Sequence, residues 1–389
     1  MKVYKKADII IIGAGLQGCS TALQLALKKK KVIIIDKNSA GRHASGVNAG
    51  GVRRLYRAVE EIPLSLAAHE IWHSIEQLVD SDCGFRATGQ VKLAENEADM
   101  RILEKRAKLI QSLGYDHEKL IDYSEVRQIV PAAKKHCIGG LASLDDGSAQ
   151  PYLTTRAFRS KGLNLGVAFF ENHHITSIGQ TGNTMQVEAQ GKRFEAPILV
   201  NCAGAWGGDI AEQLGDPVPI SAVALCMMVT TVMPYFLDPV VSLTSRKLSF
   251  KQMSNGTVVI GGGHIGSVNA EKTKAQVDFS GLKISAETVS EVFPIMRNSQ
   301  IVRTWAGIEG VMPDMIPVIS KSANTPDVYH AFGFSAHGFQ LSPIIGIIMA
   351  ELILEGKSTY PIEPFRVDRF TKAGSDQSNL SALIAGSIS

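Results

Sequence analysis

The sequence predicts an α/β fold of two domains, and three observations lead to this prediction. With 389 residues, the chain is too long for one ordinary hydrophobic core. Residues 7–12 (ADIIII) form a β-branched run that leads into a glycine-rich turn and an apolar helix, which is typical of a parallel sheet covered on both faces. Farther along, Asn255 and Gly256 separate short apolar runs within residues 222–232 and 247–263, which is typical of antiparallel hairpins.

The composition indicates a globular protein and gives no reason to expect nucleic acid or a membrane surface as a partner. Hydrophobic residues make up 45% of the chain, and 40 basic against 37 acidic side chains leave a formal charge of +3. The five cysteines are scattered without a C-x-x-C pair, so we expect neither a disulfide framework nor a cysteine zinc site. Residues 344–354 are interrupted by Gly346 and Glu351 and fall short of the ~20 residues of a membrane span. The first apolar run contains Asp8 and lacks a signal-peptide cleavage site, so we predict a cytoplasmic protein.

Residues 13–18 (GAGLQG) give the first strong functional signal. They match G-x-G-x-x-G and precede a predicted helix at residues 20–27, after which a second strand, residues 32–35, ends at Asp36. The glycines allow a tight turn, backbone approach to a pyrophosphate and close packing of helix on strand. The Asp36 carboxylate is placed to accept hydrogen bonds from ribose hydroxyls, which argues against a 2′-phosphate. We therefore predict a dinucleotide site that includes Gly13, Ala14, Gly15, Leu16, Gln17, Gly18, Asp36 and Lys37.

A second small-residue segment, residues 41–51 (GRHASGVNAGG), indicates which dinucleotide binds. Small residues this dense bring the backbone close to a large, flat group. Beside the dinucleotide motif, the segment resembles the one after the second strand in amine- and amino-acid-oxidising flavoproteins of the D-amino-acid oxidase, glycine oxidase and sarcosine oxidase superfamily. The resemblance implies non-covalently bound FAD, whose pyrophosphate and ring would contact Arg42, His43, Ala44, Ser45, Asn48, Ala49, Gly50 and Gly51.

The resemblance extends along nearly the whole chain. The other matching segments are residues 85–93 (FRATGQVKL), 146–147 with Pro151, 172–175, 199–206 (LVNCAGAW), 305–307 with Pro313, Asp314 and Pro317, and 333–343 (GFSAHGFQLSP). The last of these resembles the loop and helix start above the pyrimidine edge of the flavin, where successive amides stabilise negative charge on the reduced ring. The further contacts that the resemblance implies are Ile175, Ala203, Gly204, Trp206, Gly307, Gly333, Ala336, His337, Gly338, Phe339 and Gln340.

The resemblance also implies the domain organisation. We expect a Rossmann-like FAD-binding domain of the glutathione-reductase type, interleaved with a substrate domain built on an antiparallel sheet. The FAD-binding domain would consist of residues 1–50, 140–215 and 315–370, and the substrate domain of residues 51–139 and 216–314. Helices are predicted at residues 95–114 and 285–293, and residues 372–389 are predicted to be a loose tail.

Residues 69–73 (HEIWH) match H-E-x-x-H, the helix motif of zinc proteases. His69 and His73, four residues apart, could share one helix face, with Glu70 as a base. A zinc protease has no use for a dinucleotide domain, so we predict no metal site.

A covalent flavin link has two precedents among the resembled proteins. Dimethylglycine and sarcosine dehydrogenases attach flavin to a histidine before a similar small-residue run, which His43 could match. The alternative, which we favour, makes His43 a polar residue near the pyrophosphate. Monomeric sarcosine oxidases use a cysteine near the Trp305 region, but here no cysteine follows Cys226 and Gly307 occupies the matching place.

One departure from the family concerns the substrate. Relatives such as glycine oxidase carry an arginine at the position of Glu309, where it grips the substrate carboxylate as a bidentate fork. Here an acid stands in that place. Either another cation holds the carboxylate, or the substrate presents a cationic group to Glu309, which suits a larger amine such as an opine. The candidate cations are Arg53, Lys251, Arg246 and Arg303.

Several side chains are candidates for the substrate pocket. His337 becomes the titratable group expected beside the ring, because its neighbour Ala336 is uncharged. Arg53, Arg54 and Arg57 either form a solvated helix start or contribute one residue to the pocket. Lys251 is also a candidate for the positive charge that promotes reaction with oxygen. The expected pocket residues are Arg53, Lys251, Trp305, Glu309 and His337, and the candidate catalytic residues are His337, Glu309 and Lys251.

The resemblance implies an oxidoreductase that acts on a carbon–nitrogen bond. The α-hydrogen leaves as hydride to flavin N5, and water hydrolyses the resulting imine. The substrate would be a D-amino acid, an imino acid or an opine-like secondary amine. The alternatives are a flavoprotein that oxidises the carbon–oxygen bond of a 2-hydroxy acid or glycerol phosphate, and a flavin-bearing subunit that is active only in a heteromeric complex.

Overall fold

The computed structural model describes residues 3–370, so the predicted tail at residues 372–389 lies outside the described residues. The strands are β1 (Val3–Lys6), β2 (Ile9–Ile12), β3 (Val32–Ile35), β4 (Gly51–Val52), β5 (Gln90–Ala94), β6 (Lys119–Ile121), β7 (Gly139–Ser143), β8 (Gly147–Ser148), β9 (Ala168–Phe170), β10 (Ile175–Thr181), β11 (Thr184–Ala189), β12 (Lys192–Ala196), β13 (Ile198–Asn201), β14 (Ser221–Thr230), β15 (Val240–Leu243), β16 (Ser249–Gln252), β17 (Val258–Gly261), β18 (Ile265–Val268), β19 (Ala275–Gln276), β20 (Ile301–Val311), β21 (Val318–Lys321) and β22 (Val328–Phe332). The α-helices are α1 (Leu16–Leu27), α2 (Ala44–Val47), α3 (Ile62–His73), α4 (Ile75–Val79), α5 (Glu97–Ser112), α6 (Tyr123–Ile129), α7 (Pro151–Asn164), α8 (Gly207–Gln213), α9 (Phe279–Val292) and α10 (Gly338–Glu355).

A six-stranded sheet of order β21-β22-β13-β2-β3-β9 forms the centre of the first half of the fold. All its pairings are parallel except that of the edge strand β21 with β22. The isoleucines of β2 alternate between its faces: Ile9 and Ile11 pack among α1, α3 and α10, whereas Ile10 and Ile12 pack against the sheet of order β1-β12-β11-β10. The period of two therefore buries both faces, which is why the β-branched run reads as a continuous apolar strand.

Helix α10 is the central helix of this half. It has 18 residues and a mean hydropathy of 1.5, so by length and composition alone it could cross a membrane, but 78% of it is buried inside the protein. It packs against α1 and α3, and a side chain at Gly346 would stand 2.6 Å from the backbone of Ser20. The helix is therefore longer than the predicted apolar run, and its apolar residues are core residues of the parallel-sheet half.

A ten-stranded sheet forms the second half. Its order is β19-β18-β14-β17-β16-β15-β5-β7-β6, and β20 pairs with β14. The predicted hairpin at Asn255 and Gly256 is confirmed, because β16 and β17 pair antiparallel across it. One face packs against α6 and α9, and the other faces the parallel-sheet half. The predicted α/β fold with parallel and antiparallel sheets is confirmed.

Three predicted boundaries need correction. Residue 140 falls inside β7, a strand of the ten-stranded sheet, so the parallel-sheet half does not begin there. Leu64 and Ala68 of α3 belong to the core between α1 and α10, although residues 51–139 were assigned to the substrate domain. Helix α9 begins at Phe279 instead of residue 285, because Asp278 caps it through the amides of Ser280 and Gly281.

Candidate active site

Two adjoining cavities lie between the two halves of the fold. The larger has a volume of about 360 Å³ and extends from Asp36 to the start of α10, and the smaller, of about 130 Å³, lies against the ten-stranded sheet. Five residues line both cavities: Ala44, Asn48, Glu309, Ala336 and Phe339. We call them the nucleotide cavity and the sheet cavity.

Most predicted cofactor residues line one of these cavities. Those on the nucleotide cavity are Gly13, Gly15, Leu16, Gln17, Asp36, Lys37, Arg42, His43, Ala44, Ser45, Asn48, Ile175, Ala203, Gly204, Trp206, Gly333, Ala336, Gly338 and Phe339. Those on the sheet cavity alone are Ala49, Gly50, Gly51 and Gly307, together with the predicted substrate residues Arg53 and Lys251. Neither lining includes Ala14, Gly18, Trp305, His337 or Gln340.

The glycine turn is built by backbone contacts that leave no room for side chains. Gly13 has a φ of +103°, and a Cβ there would stand 2.4 Å from the carbonyl oxygen of Cys202. A Cβ at Gly18 would stand 2.0 Å from the carbonyl oxygen of Gly13. Gly18 thus brings α1 onto the turn without touching the cavity, and Ser45 Oγ accepts the amide hydrogen of Leu16 at 2.9 Å.

Asp36 stands at the carboxyl end of β3, where parallel-sheet proteins bind nucleotides. Its Oδ2 accepts the amide hydrogen of Ala14 at 2.6 Å, and its Oδ1 accepts that of Asn38 at 2.7 Å. Burial raises the pKa of this carboxyl, and the two amide hydrogen bonds oppose the rise. Ala14 therefore acts through Asp36, which it orients, and not by lining the cavity.

A group of polar side chains stands at the Asp36 end of the nucleotide cavity. Lys37 Nζ lies 3.3 Å from the centroid of the Trp206 ring, and the His43 ring centroid lies 4.6 Å from it. Burial lowers the pKa of Lys37 to about 8 and that of His43 to about 4. Asn48 lines both cavities, whereas His43 lines the nucleotide cavity only. The position of His43 therefore favours a polar role beside the nucleotide over a covalent link to the flavin.

These residues fit FAD. Trp206 Nε1 is a buried donor without a hydrogen-bond partner among the residues that the structure describes, and it belongs to a cavity-lining side chain. A buried orphan donor is costly unless a ligand satisfies it. The glycine turn, the Asp36 carboxylate and this indole would hold the nucleotide half, and the loop that precedes α10 would approach the ring.

The loop before α10 has a strained backbone. Ser335 and Ala336 have φ values of +49° and +68°, in the left-handed region that L residues rarely adopt. Ser335 Oγ accepts the amide hydrogen of Met312 at 3.0 Å, and the amide of Ala336 donates to Glu309 Oε1 at 2.7 Å. These bonds hold the loop open toward both cavities.

The side chains of His337 and Gln340 make other contacts, and neither residue lines a cavity. His337 is buried, and its Nδ1 lies 2.7 Å from Glu61 Oε2 instead of facing a cavity. Gln340 Nε2 donates to the carbonyl of Ser65 at 2.8 Å, and its Oε1 lies 3.3 Å from Arg57 Nη2. Both side chains therefore fasten the start of α10 to the stretch of chain from Arg57 to Ser65.

Trp305 does not line the pocket either. Its Nε1 donates to the carbonyl of Val47 at 2.8 Å and so anchors the end of α2 to β20.

In α3, His69 Nε2 lies 2.9 Å from the carbonyl oxygen of Asp145 and 3.1 Å from His73 Nε2. Within residues 3–370 no group of three or more metal-ligating side chains forms a metal site.

The sheet cavity carries the charged groups of the site. Arg53 and Arg57 line it from one side, Lys251 of β16 from the sheet, and Glu309 of β20 lies where it meets the nucleotide cavity. Burial lowers the pKa of Lys251 to about 7, and burial raises the pKa of Glu309 to about 7 against the hydrogen bond from Ala336. Both groups therefore change charge near neutral pH.

Two buried carboxylates position the arginine segment. Asp146 accepts the amide hydrogens of Arg54 and Leu55 at 2.7 and 2.9 Å, and Glu118 accepts that of Tyr56 at 2.6 Å. Arg54 itself pairs with Asp146 and does not line the cavity. A solvated helix start is thus the wrong interpretation, since Arg57 is only 2% exposed.

Sequence reasoning missed the apolar wall of the sheet cavity. Leu225, Met227 and Val259 face it from β14 and β17. Alternation along the strands was the available signal, because the neighbours Met228 and Ile260 belong to the core on the opposite face.

Comparison with known proteins agrees with this geometry. The family model described as FAD dependent oxidoreductase matches residues 8–352. Sarcosine oxidase subunit beta of Rhodobacter capsulatus is 24% identical and covers 98% of this chain and 92% of its own length. Glycine oxidase of Bacillus licheniformis is 25% identical over 94% of this chain and 98% of that protein. The crystal structure of L-proline dehydrogenase from P. horikoshii has a TM-score of 0.87 and 25% identity over 94% of this chain and 98% of that chain. The chain therefore belongs, as its sequence predicts, to the FAD-dependent oxidoreductase family and is an enzyme that uses FAD.

Proposed function

We propose that this enzyme oxidises the carbon–nitrogen bond of an amino acid or secondary amine by hydride transfer to flavin N5, after which water hydrolyses the imine. The observation that carries the proposal is the charge arrangement of the sheet cavity, which has cations on two walls and an acid at its junction with the nucleotide cavity. A substrate with a carboxylate and an amine complements that arrangement. The relatives named sarcosine oxidase and glycine oxidase support it.

The arginine segment is suited to hold the substrate carboxylate. Arg57 donates Nε to the carbonyl of Arg53 and approaches Gln340 with Nη2, which fixes its guanidinium plane. Its Nη1 is buried and has no hydrogen-bond partner among residues 3–370, so a carboxylate would satisfy it. Lys251, in the opposite wall, adds a second cation while it is protonated.

The other residues would orient the substrate and exclude water. The apolar wall of Leu225, Met227 and Val259 would cover the carbon chain and lower the local dielectric. Bound FAD supplies the hydride acceptor. Gly338, at the start of α10, would bring its backbone amide to the ring.

The test is flavin reduction under anaerobic conditions against a panel of substrates. The panel contains D-amino acids, cyclic imino acids, opine-like secondary amines, 2-hydroxy acids and glycerol phosphate. We expect only the amines to bleach the flavin, and Arg57→Met to raise the KM of the best amine about 10–100-fold, the cost of losing a charged hydrogen bond. Lys283→Met, at a 76% exposed side chain, is the control. Bleaching by hydroxy acids or glycerol phosphate alone would instead establish carbon–oxygen oxidation.

A second candidate function is that of a flavin-bearing subunit in a heteromeric complex. The relative from Rhodobacter capsulatus is named as a subunit, and this chain covers 92% of it. The test is co-expression with candidate partner subunits. Activity that appears only with a partner would establish this function. We also propose that the protein is located in the cytoplasm.

A further inference from the structure

Glu309 has a setting that the binding of FAD and of a carboxylate does not explain. Its Oε1 accepts the amide hydrogen of Ala336, while Oε2 has no donor among residues 3–370. Glu309 lies at the junction of the two cavities. A substrate in the sheet cavity and a flavin ring in the nucleotide cavity would meet there. A carboxylate with one satisfied and one open oxygen is arranged to accept a further hydrogen bond.

Glu309 forms no ion pair with a described residue, although Arg53, Arg57 and Lys251 line the adjoining sheet cavity. Besides Glu309, the titratable groups that line the nucleotide cavity are Asp36, Lys37, Arg42, His43, His174, Cys202 and Asp209. His337, in the adjacent loop, is paired with Glu61, and β14 places the apolar Val223 opposite Glu309 in the sheet.

We propose that Glu309 is a catalytic residue that binds the substrate ammonium and takes its proton before oxidation. This rests on the proposed function, and it adds the group that makes the amine reactive. Amines are protonated in water at neutral pH, and an ammonium nitrogen has no lone pair to assist loss of hydride. A carboxylate that becomes charged near pH 7 at this place can both attract the ammonium and accept its proton.

The step balances as follows in atoms and charge. One N–H bond of the ammonium breaks and its electron pair stays on nitrogen, while the proton forms an O–H bond with Glu309 Oε2. The freed lone pair then forms the C=N bond as the α C–H bond breaks, and bound FAD would be the oxidant that accepts the hydride. The proton leaves Glu309 for solvent when the product departs.

The first test measures binding and does not require turnover. Glycine betaine and 3,3-dimethylbutyrate have nearly the same shape and carboxylate, but only betaine has a cationic nitrogen, and neither offers an N–H to oxidise. Their dissociation constants with the holoenzyme follow from the change in flavin absorbance. We expect betaine to bind about tenfold more tightly at pH 8, with a preference that falls as pH drops through about 7 and Glu309 is protonated.

Glu309→Gln is the matched variant for this test. Its amide oxygen can still accept the Ala336 hydrogen bond, so the loop is preserved, but it carries no charge. The preference for betaine should vanish in it and persist in Glu287→Gln, at a 59% exposed side chain. Equal binding of the two probes by the unchanged enzyme, no betaine binding up to about 0.1 M, or a preference that survives Glu309→Gln would overturn the proposal.

The second test follows the rate of flavin reduction by the best amine of the panel against pH. The unchanged enzyme should reach its full rate above about pH 7, whereas Glu309→Gln should react only with amine that is already neutral in solution, so its profile moves to the pKa of the free amine. At pH 7 we expect a loss of about 10²–10⁴-fold. An unchanged pH profile in the variant refutes the role of Glu309, whereas failure of every amine with the unchanged enzyme, both alone and co-expressed with partner subunits, refutes the proposed function.

Discussion

Replacing Gly18 with alanine tests the glycine turn on which the nucleotide cavity depends. A Cβ at this position would stand 2.0 Å from the carbonyl oxygen of Gly13, whereas real Cβ contacts stay beyond 3.0 Å, so the turn must move by about 1 Å. Gly162 of α7 is the matched control, because a Cβ there meets only side chains at 3.6 Å. Both replacements add the same intrinsic helix propensity of about 1 kcal/mol.

The difference between the two variants isolates the cost of the displaced turn. Forced overpacking costs about 1–3 kcal/mol, so Gly18→Ala should be less stable than Gly162→Ala by that amount in urea unfolding of the apoprotein. Titration of apoprotein with FAD should show at least about tenfold weaker binding for Gly18→Ala, which corresponds to about 1.4 kcal/mol, and unchanged binding for Gly162→Ala. Equal stability and equal FAD affinity in the two variants would refute the assignment of Gly18 to the turn.

Three further predictions concern buried charges. Glu118→Gln leaves the largely buried guanidinium of Arg106 without its carboxylate, so urea unfolding should show a loss of about 3–5 kcal/mol. Asp80→Asn, at an exposed ion pair, should cost less than about 1 kcal/mol, and similar losses in the two variants would contradict the reasoning. Lys251→Met should stabilise the apoprotein more at pH 6 than at pH 9, because burial lowers the pKa of Lys251 to about 7 and the folded state tolerates the charged form poorly. An increase in the free energy of unfolding that does not depend on pH would show that the ammonium is solvated. Burial alone would raise the pKa of Asp216, but hydrogen bonds led by that from His330 outweigh it and hold the pKa below its ordinary value. The stabilisation is therefore fully present above about pH 4 and is lost as pH falls through the lowered pKa, so Asp216→Asn should cost more stability at pH 7 than at pH 3 by urea unfolding; an equal cost at both would contradict the reasoning.

The parts of the site that the sequence could predict are those built from neighbouring residues. The turn from Gly13 to Gly18 and the carboxylate of Asp36 lie within one strand–helix–strand unit, so spacing alone locates them. Arg57 is different: its burial depends on Gln340, and the segment around it depends on Asp146, residues far away in the chain. No local pattern reports such contacts.

His337 shows the same limit in a residue that the family resemblance brought forward. The resemblance identified the loop but not the direction of each side chain within it. That direction is set by Glu61, which lies 276 positions earlier in the chain and takes the imidazole away from the cavity. Glu309, in contrast, was identified because it departs from the family pattern, and a departure is visible in one residue.

The packing of α10 on α1 has a consequence for synthesis of the protein. The last residue of α1 and the first of α10 are 311 positions apart, from Leu27 to Gly338. At about 5–20 residues per second, a ribosome needs about 15–60 s to make the intervening chain. Throughout that time the face of α1 that packs against α10 has no permanent cover, although another face can already pack against α7. That apolar face therefore stays exposed for longer than in a protein whose first helix packs only against near neighbours.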